Sequence, residues 1–245
     1  MEAVEDMINA CKKILWLSII IICVFWYMTG NSALELENIN TKEIDISLND
    51  KDKLVQEISS NGDEKLLLVN GKYGLNKNYI PEGLCIPNIP FSDISDDEEK
   101  HVAGVIVKPL EELVNTAKED GIILLGNSGY RSYKSQEKLY ISRVKSEGRK
   151  LADAYVAKPG SSEHQTGLCI DITNENGYLV KGTEEADWLA ENCYKFGFIV
   201  RYPYGRKNIT GIEYEPWHIR YVGKEAAKYI YDNGITLEEY LERQL

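Results

Sequence analysis

An α+β domain behind an N-terminal membrane-spanning helix is the architecture that this sequence predicts. Three observations support it. Residues 14–28, ILWLSIIIICVFWYM, run without a charge. From about residue 102 onward, stretches with helical apolar spacing are interspersed with short apolar runs that read as strands. Two of the helical stretches gather at the C-terminal end, which suggests α+β.

The uncharged run lengthens to roughly 18 to 20 residues if it extends to Asn31 or Leu34, enough to cross a bilayer. Trp16, Trp26 and Tyr27 lie near its ends, as interface aromatics do. Lys12 and Lys13 precede it, and Glu35 and Glu37 are the first charges after it. The positive-inside rule then makes residues 1–13 cytoplasmic, 14–33 a transmembrane anchor, and everything beyond extracellular. A cleaved signal peptide is the competing reading, although Asn31 suits a cut after Ala33 poorly. A buried core helix is disfavoured by the four isoleucines Ile19 to Ile22, which leave no polar face. Residues 34–63 are polar and acidic and read as a stem that lifts a domain of residues 64–245 off the membrane.

Within that domain LLLVN, residues 66–70, reads as a strand, and 72–100 as a surface wrap rich in Pro, Asn, Asp and Gly. PLEELVNTAKEDG has helical spacing and stops at Gly121. IILLGNSG is a strand running into a turn, followed by a helix from Ser132 to about Glu147. GLCIDIT is a strand, and TEEADWLAENCYKFG a helix with Thr183 as cap and Gly197 as stop. FIVRYP and WHIRYVG are strands, and KEAAKYIYDNG and TLEEYLE close the chain as helices.

Net charge is −11, with 43% hydrophobic and 27% charged residues. That composition supports a globular core and argues against a phosphate-backbone partner, so no nucleic acid is expected. The five cysteines form no CxxC pair, so neither a cysteine zinc site nor a disulfide framework is indicated.

Two of the three histidines stand in suggestive places. In SSEHQTGLCIDIT, Leu168, Ile170 and Ile172 share one strand face, a core face. Cys169, Asp171 and Thr173 share the other, and His164 sits on the turn before, with Gly167 free to bend it back. In EYEPWHIRYV, Trp217, Ile219 and Tyr221 share a face opposite His218 and Arg220. Each stretch alone reads as ordinary structure: a turn histidine bonded to a carboxylate, or a Trp-anchored strand with a surface histidine. Together, two His and one Asp make a plausible three-ligand zinc set with a fourth position open, and Glu215 is placed to be a general base. In NSGYRSYKSQEKLY, Arg131 follows a Ser-Gly turn and opens a helix. It reads either as a helix-surface arginine or as a guanidinium for a carboxylate or developing oxyanion.

SGYRS with Gln136 following, SSEHQTGLCIDI and EPWHIRYV, in that order, resemble the three signatures of the VanY-type zinc D-alanyl-D-alanine carboxypeptidases, peptidoglycan peptidases of the LAS superfamily. LLLVNGKYGL resembles the start of their domain, and the likeness covers about residues 64–243. The resemblance implies a small, mostly antiparallel sheet with flanking helices, and Zn2+ held by His164, Asp171 and His218. It implies Glu215 as catalytic base, Arg131 on the substrate carbonyl, and Ser162 and Gln136 shaping the site or holding substrate. Cys169 departs from the family's small residue at that place; packing is its expected role, with ligation the alternative. Peptidoglycan stem peptides are the implied partner outside the cell, in a single-pass membrane protein or a secreted form. A D,D-carboxypeptidase is favoured, with L,D-carboxypeptidase and D,D-dipeptidase as alternatives. A non-catalytic wall-binding module is disfavoured because both Glu215 and Arg131 are present.

Overall fold

The structure is a computed structural model that describes residues 63–177 and 181–243. The expected anchor at 14–33 and its flanks, and all but the last residue of the expected stem, lie outside the described residues. No helix among the described residues is long and apolar enough to cross a membrane.

Two short strands, β1 (Leu84–Cys85) and β2 (Val102–Ala103), pair antiparallel and lead into helix α1 (Gly104–Glu119). Strand β3 (Leu125–Ser128) follows, then α2 (Tyr133–Glu147) and α3 (Arg149–Tyr155). A 3-10 turn, Glu163–Thr166, feeds β4 (Cys169–Thr173). Helix α4 (Glu184–Asn192), β5 (Phe198–Tyr202), α5 (Lys207–Thr210) and β6 (Glu215–Tyr221) come next, and α6 (Lys224–Asn233) and α7 (Leu237–Glu242) end the domain. Strands β3, β4, β6 and β5 form one antiparallel sheet in that order.

The sheet's period-two pattern decides what it buries. Ile170, Ile172 and Ile219 have no solvent exposure and pack with Ile106, Leu110 and Leu113 of α1 and Leu189 of α4. Each such side chain contributes about 1.5–3 kcal/mol by leaving water. A second cluster lies under the C-terminal helices, where Ile199, Val222, Ala227, Ile230 and Leu237 meet. Helix ends follow their chemistry: Ser132 Oγ accepts from Ser135 N, Thr183 caps α4, and Thr236 with Glu239 forms a capping box on α7.

Several expectations change. Residues 66–70 are not a strand. Leu67 and Val69 pack in one cluster and Leu68 in another, while the carbonyls of Lys65 and Leu67 accept from the Arg220 guanidinium at 3.0 and 2.7 Å. An arginine thus satisfies backbone groups that a ladder would otherwise have taken. The helix expected from Pro109 starts at Gly104 and carries Pro109 in its second turn. The strand expected over 122–129 shortens to four residues. The helix expected over 183–197 ends at Asn192, and Cys193–Phe196 tightens into a 3-10 turn before Gly197 at φ +89°. Helix α3 has no counterpart in the sequence reading. His218 and Arg220 do not face solvent, being 3% and 0% exposed.

Gly167 ends the turn that carries His164, at φ +66°, and a Cβ there would stand 2.8 Å from the Ala103 amide nitrogen. Gly167→Ala combines left-handed strain with a backbone clash and is expected to cost about 2–4 kcal/mol, read as a lowered melting temperature. An unchanged melting temperature would mean that the turn does not depend on this conformation.

Candidate active site

The sheet register assembles the site. Asp171 in the middle of β4 is paired directly with His218 of β6 on one side and Ser128 of β3 on the other. Residues opposite each other in such a ladder carry their side chains on the same face. His164 reaches that face from the turn before β4, and its ring lies 5.0 Å from that of His218 at 87°. His101, the third histidine, bonds the Asp97 carbonyl at 2.7 Å and takes no part.

Hydrogen bonds orient both rings. His164 Nδ1 lies 2.7 Å from the Gly129 carbonyl, which can only accept, so Nδ1 carries the proton and Nε2 is left toward Asp171 Oδ2 at 3.5 Å. His218 Nε2 lies 3.4 Å from Glu163 Oε2, leaving Nδ1 at 3.1 Å from Asp171 Oδ1. Asp171 Oδ1 is buried and has no hydrogen-bond partner. Donors about 2.0–2.1 Å from a tetrahedral ion stand about 3.3 Å from one another. The two His–Asp separations lie near that value, though each goes to a different oxygen of Asp171, and the side chains whose donor atoms all lie within 4.8 Å of one another are His164, Cys169 and His218. Cys169, on the Asp171 face of β4 and fully buried, brings its Sγ within 4.8 Å of donor nitrogens of His164 and His218. Burial works against its ionisation, but the two imidazoles prevail and lower it to about 7. Cys169 is therefore a member of the candidate donor cluster and not only a packing residue.

Glu215 opens β6 and is 6% exposed, and no hydrogen bond ties its carboxylate among the described residues. Burial pushes it up to about 8; His218 opposes the shift and Asp171 adds to it. For Asp171 itself burial is outweighed by His164 and His218, so its carboxyl falls below the usual range. Burial alone would lower the His164 pKa, and Cys169 and Asp171 reverse that.

Arg131 lies on the far wall. Its Nε donates to Glu99 Oε1 at 2.7 Å, Nη1 to Gln136 Oε1 at 2.9 Å and Nη2 to Ser128 Oγ at 2.5 Å. Three of its five N–H groups are committed and two remain. Gln136 is spent at both ends, since its Nε2 donates to the Ala157 carbonyl at 2.7 Å. It therefore shapes the site through Arg131. Ser162 is buried at the head of the His164 turn. All seven predicted residues, Arg131, Gln136, Ser162, His164, Asp171, Glu215 and His218, line one open cleft of about 570 Å³, which runs on between α2 and α3 to Arg143 and Tyr155.

Sequence reasoning missed two acids. Glu99 comes from the surface wrap and braces Arg131. Glu163, beside His164 in the chain, has no exposed side-chain surface and accepts from Arg201 and Arg220 at 2.7 and 2.8 Å. Burial would raise its pKa, but the two guanidiniums hold the carboxyl well below the usual carboxylate range. The available signal was the pair of arginines alternating with apolar residues inside strands, because a buried guanidinium requires an acid.

An untied carboxylate beside a buried His164, Cys169 and His218 cluster, with Asp171 next to both imidazoles in an open cleft, is an arrangement suited to metal-dependent hydrolysis. A sequence model described as VanY, D-alanyl-D-alanine carboxypeptidase, matches residues 99–224. The chain belongs to that family. A D-alanyl-D-alanine carboxypeptidase of Enterococcus faecalis (strain ATCC 700802 / V583) is 35% identical over 212 residues, 81% of this chain and 75% of that protein. The structure of the LD-carboxypeptidase LdcB is similar with a TM-score of 0.68 and 44% identity, covering 74% of this chain and 87% of that one. That of VanY, a vancomycin-resistance D,D-pentapeptidase solved with Zn(II), is similar with a TM-score of 0.62 and 38% identity, covering 73% and 99%.

The raised Glu215 carboxyl has a measurable consequence in metal-free protein. Below about pH 4.5 it is protonated folded or unfolded. Between there and about pH 8 only the unfolded chain releases the proton, so stability is lost as pH rises. Glu215→Gln lacks that loss. In chelator-treated protein its melting temperature relative to wild type should climb by several degrees from pH 4.5 to pH 8; a constant difference would contradict the shift.

Proposed function

We propose that this protein is a zinc-dependent carboxypeptidase that removes a C-terminal D-alanine from peptidoglycan stem peptides, with D-alanyl-D-alanine ends as the favoured substrate. The observation that carries the reading is Glu215, an untied carboxylate in the cleft wall next to His164, Asp171 and His218. His164 through Nε2, Asp171, and His218 through Nδ1 would hold the ion. When bound, Zn2+ supplies Lewis acidity and makes water a nucleophile near neutral pH.

The protein groups do the rest. Glu215, ionised once a divalent cation stands beside it, accepts a proton from the water that attacks the terminal amide carbonyl and returns it to the departing amine of D-alanine. Water is the only co-reactant, the C–N bond breaks, and the products are a shortened peptide and the free amino acid. The two uncommitted N–H groups of Arg131 are available to the carbonyl oxygen as negative charge builds there. Glu99, Ser128 and Gln136 keep that guanidinium from having to reorganise. Ser162 shapes the floor beside His164.

A second reading is L,D cleavage of tetrapeptide stems, supported by the likeness to LdcB. Both reactions release D-alanine and differ only in the residue before the cut. A wall-binding module without catalysis does not explain why Glu215 and Arg131 both face the cleft. The reading includes location: an anchor at residues 14–33 and an acidic stem would hold the domain at the outer membrane face, within reach of the wall. That part rests on the charge pattern of the sequence alone.

Purified protein given pentapeptide and tetrapeptide stems, with and without a chelator, should release D-alanine only when metal is present, and faster from the pentapeptide. A faster tetrapeptide reaction selects the L,D reading, and no release from either removes the enzyme. Glu215→Ala should cut turnover about 10²–10⁴-fold while metal content is kept. His164→Ala should instead lose the metal, as elemental analysis would register.

A further inference from the structure

We propose that Glu163 is a positioning residue of the metal site, holding His218 by Nε2 so that Nδ1 is the nitrogen turned to Asp171. The proposal rests on the ligand assignment above.

An imidazole offers two nitrogens, and only an outside partner decides which one faces an ion. For His164 that partner is the Gly129 carbonyl. For His218 it is Glu163 Oε2, at 3.4 Å. The two oxygens of Glu163 divide their work: Oε1 accepts from Arg201 Nε and Arg220 Nη1, and Oε2 is left to the imidazole. Neither arginine is free to turn. Arg201 donates from both terminal nitrogens to Glu238 of α7, at 2.9 and 2.7 Å. Arg220 donates to the carbonyls of Lys65, Leu67 and Tyr221.

Two guanidiniums and two carboxylates thus balance in a buried cluster, and burial is tolerated because every charge is matched. Its mechanical effect is to fix one carboxylate against one imidazole. The chain order adds a second constraint. Glu163 and His164 are adjacent in one 3-10 turn, so the same turn delivers one metal donor and the hold on the other. Glu163 touches no reacting group; it acts through His218.

The alternative is that Glu163 only braces the fold, and metal binding separates the two. Zinc dissociation constants would be measured by chelator competition for wild type, Glu163→Gln, Glu163→Asp and Glu238→Gln. Glu238→Gln disturbs the same cluster without touching His218, so it serves as the structural control. Glu163→Gln should weaken zinc binding about 10–100-fold, Glu163→Asp should restore part of it, and Glu238→Gln should stay near wild type. Equal losses in Glu163→Gln and Glu238→Gln, or no loss in either, would overturn the proposal.

A second measurement needs no variant. In cadmium-113-loaded, nitrogen-15-labelled wild-type protein, the metal should couple to Nε2 of His164 and Nδ1 of His218. Coupling to Nε2 of His218 would refute the proposal even if Glu163→Gln cannot be folded. Neither readout involves D-alanine release, so failure of the carboxypeptidase reading would show separately in the stem-peptide assay.

Discussion

The pairing of β4 with β6, Asp171 opposite His218 and Ile170 opposite Ile219, is the constraint on which the rest of the molecule depends. Strand side chains alternate between faces. The register that buries Ile170, Ile172 and Ile219 against α1 and α4 therefore obliges Asp171 and His218 to share the other face. A slip of one residue would exchange the faces and put a carboxylate into the apolar core. Burial of hydrocarbon thus fixes, at no separate cost, the relative placement of two of the groups that line the cleft.

The non-core face is not a wet one, and that shapes its electrostatics. Three carboxylates lie there, Glu163 and Glu215 buried and Asp171 half-buried, in three different settings. Glu163 lies between two guanidiniums, and its carboxyl stays ionised. Asp171, against two imidazoles, is also held in the ionised form. Glu215 has no cation bonded to it, and burial lifts it to about 8. Environment alone divides one kind of functional group into two ionised carboxylates and one that holds its proton to about pH 8.

Arg131 shows the same economy on the opposite wall. The helix that follows it, α2, has little apolar periodicity, and Gln136 is its one buried residue. That helix serves the cleft more than the core. The bonds to Glu99, Ser128 and Gln136 hold the guanidinium in place before any ligand arrives, which is where electrostatic stabilisation gains most.

Much of this was readable along the chain. Period-two patterns in GLCIDIT and WHIRYV set which residues face the core. Ser132 and Thr183 marked helix starts by local hydrogen bonding, and three short motifs in order pointed to the family. These features depend on neighbours within a few residues, and such information survives in a linear sequence. What could not be read is what depends on partners far apart in it. LLLVN has the composition of a strand, yet Arg220, about 153 residues further on, takes its carbonyls. Glu163 looked like one more acid in a turn until folding brought Arg201, Arg220 and His218 around it. The burial of His218, the tie between Glu99 and Arg131, and the closeness of Cys169 to both imidazoles likewise arise only when β4 and β6 pair, because long-range packing decides which charges lose their water.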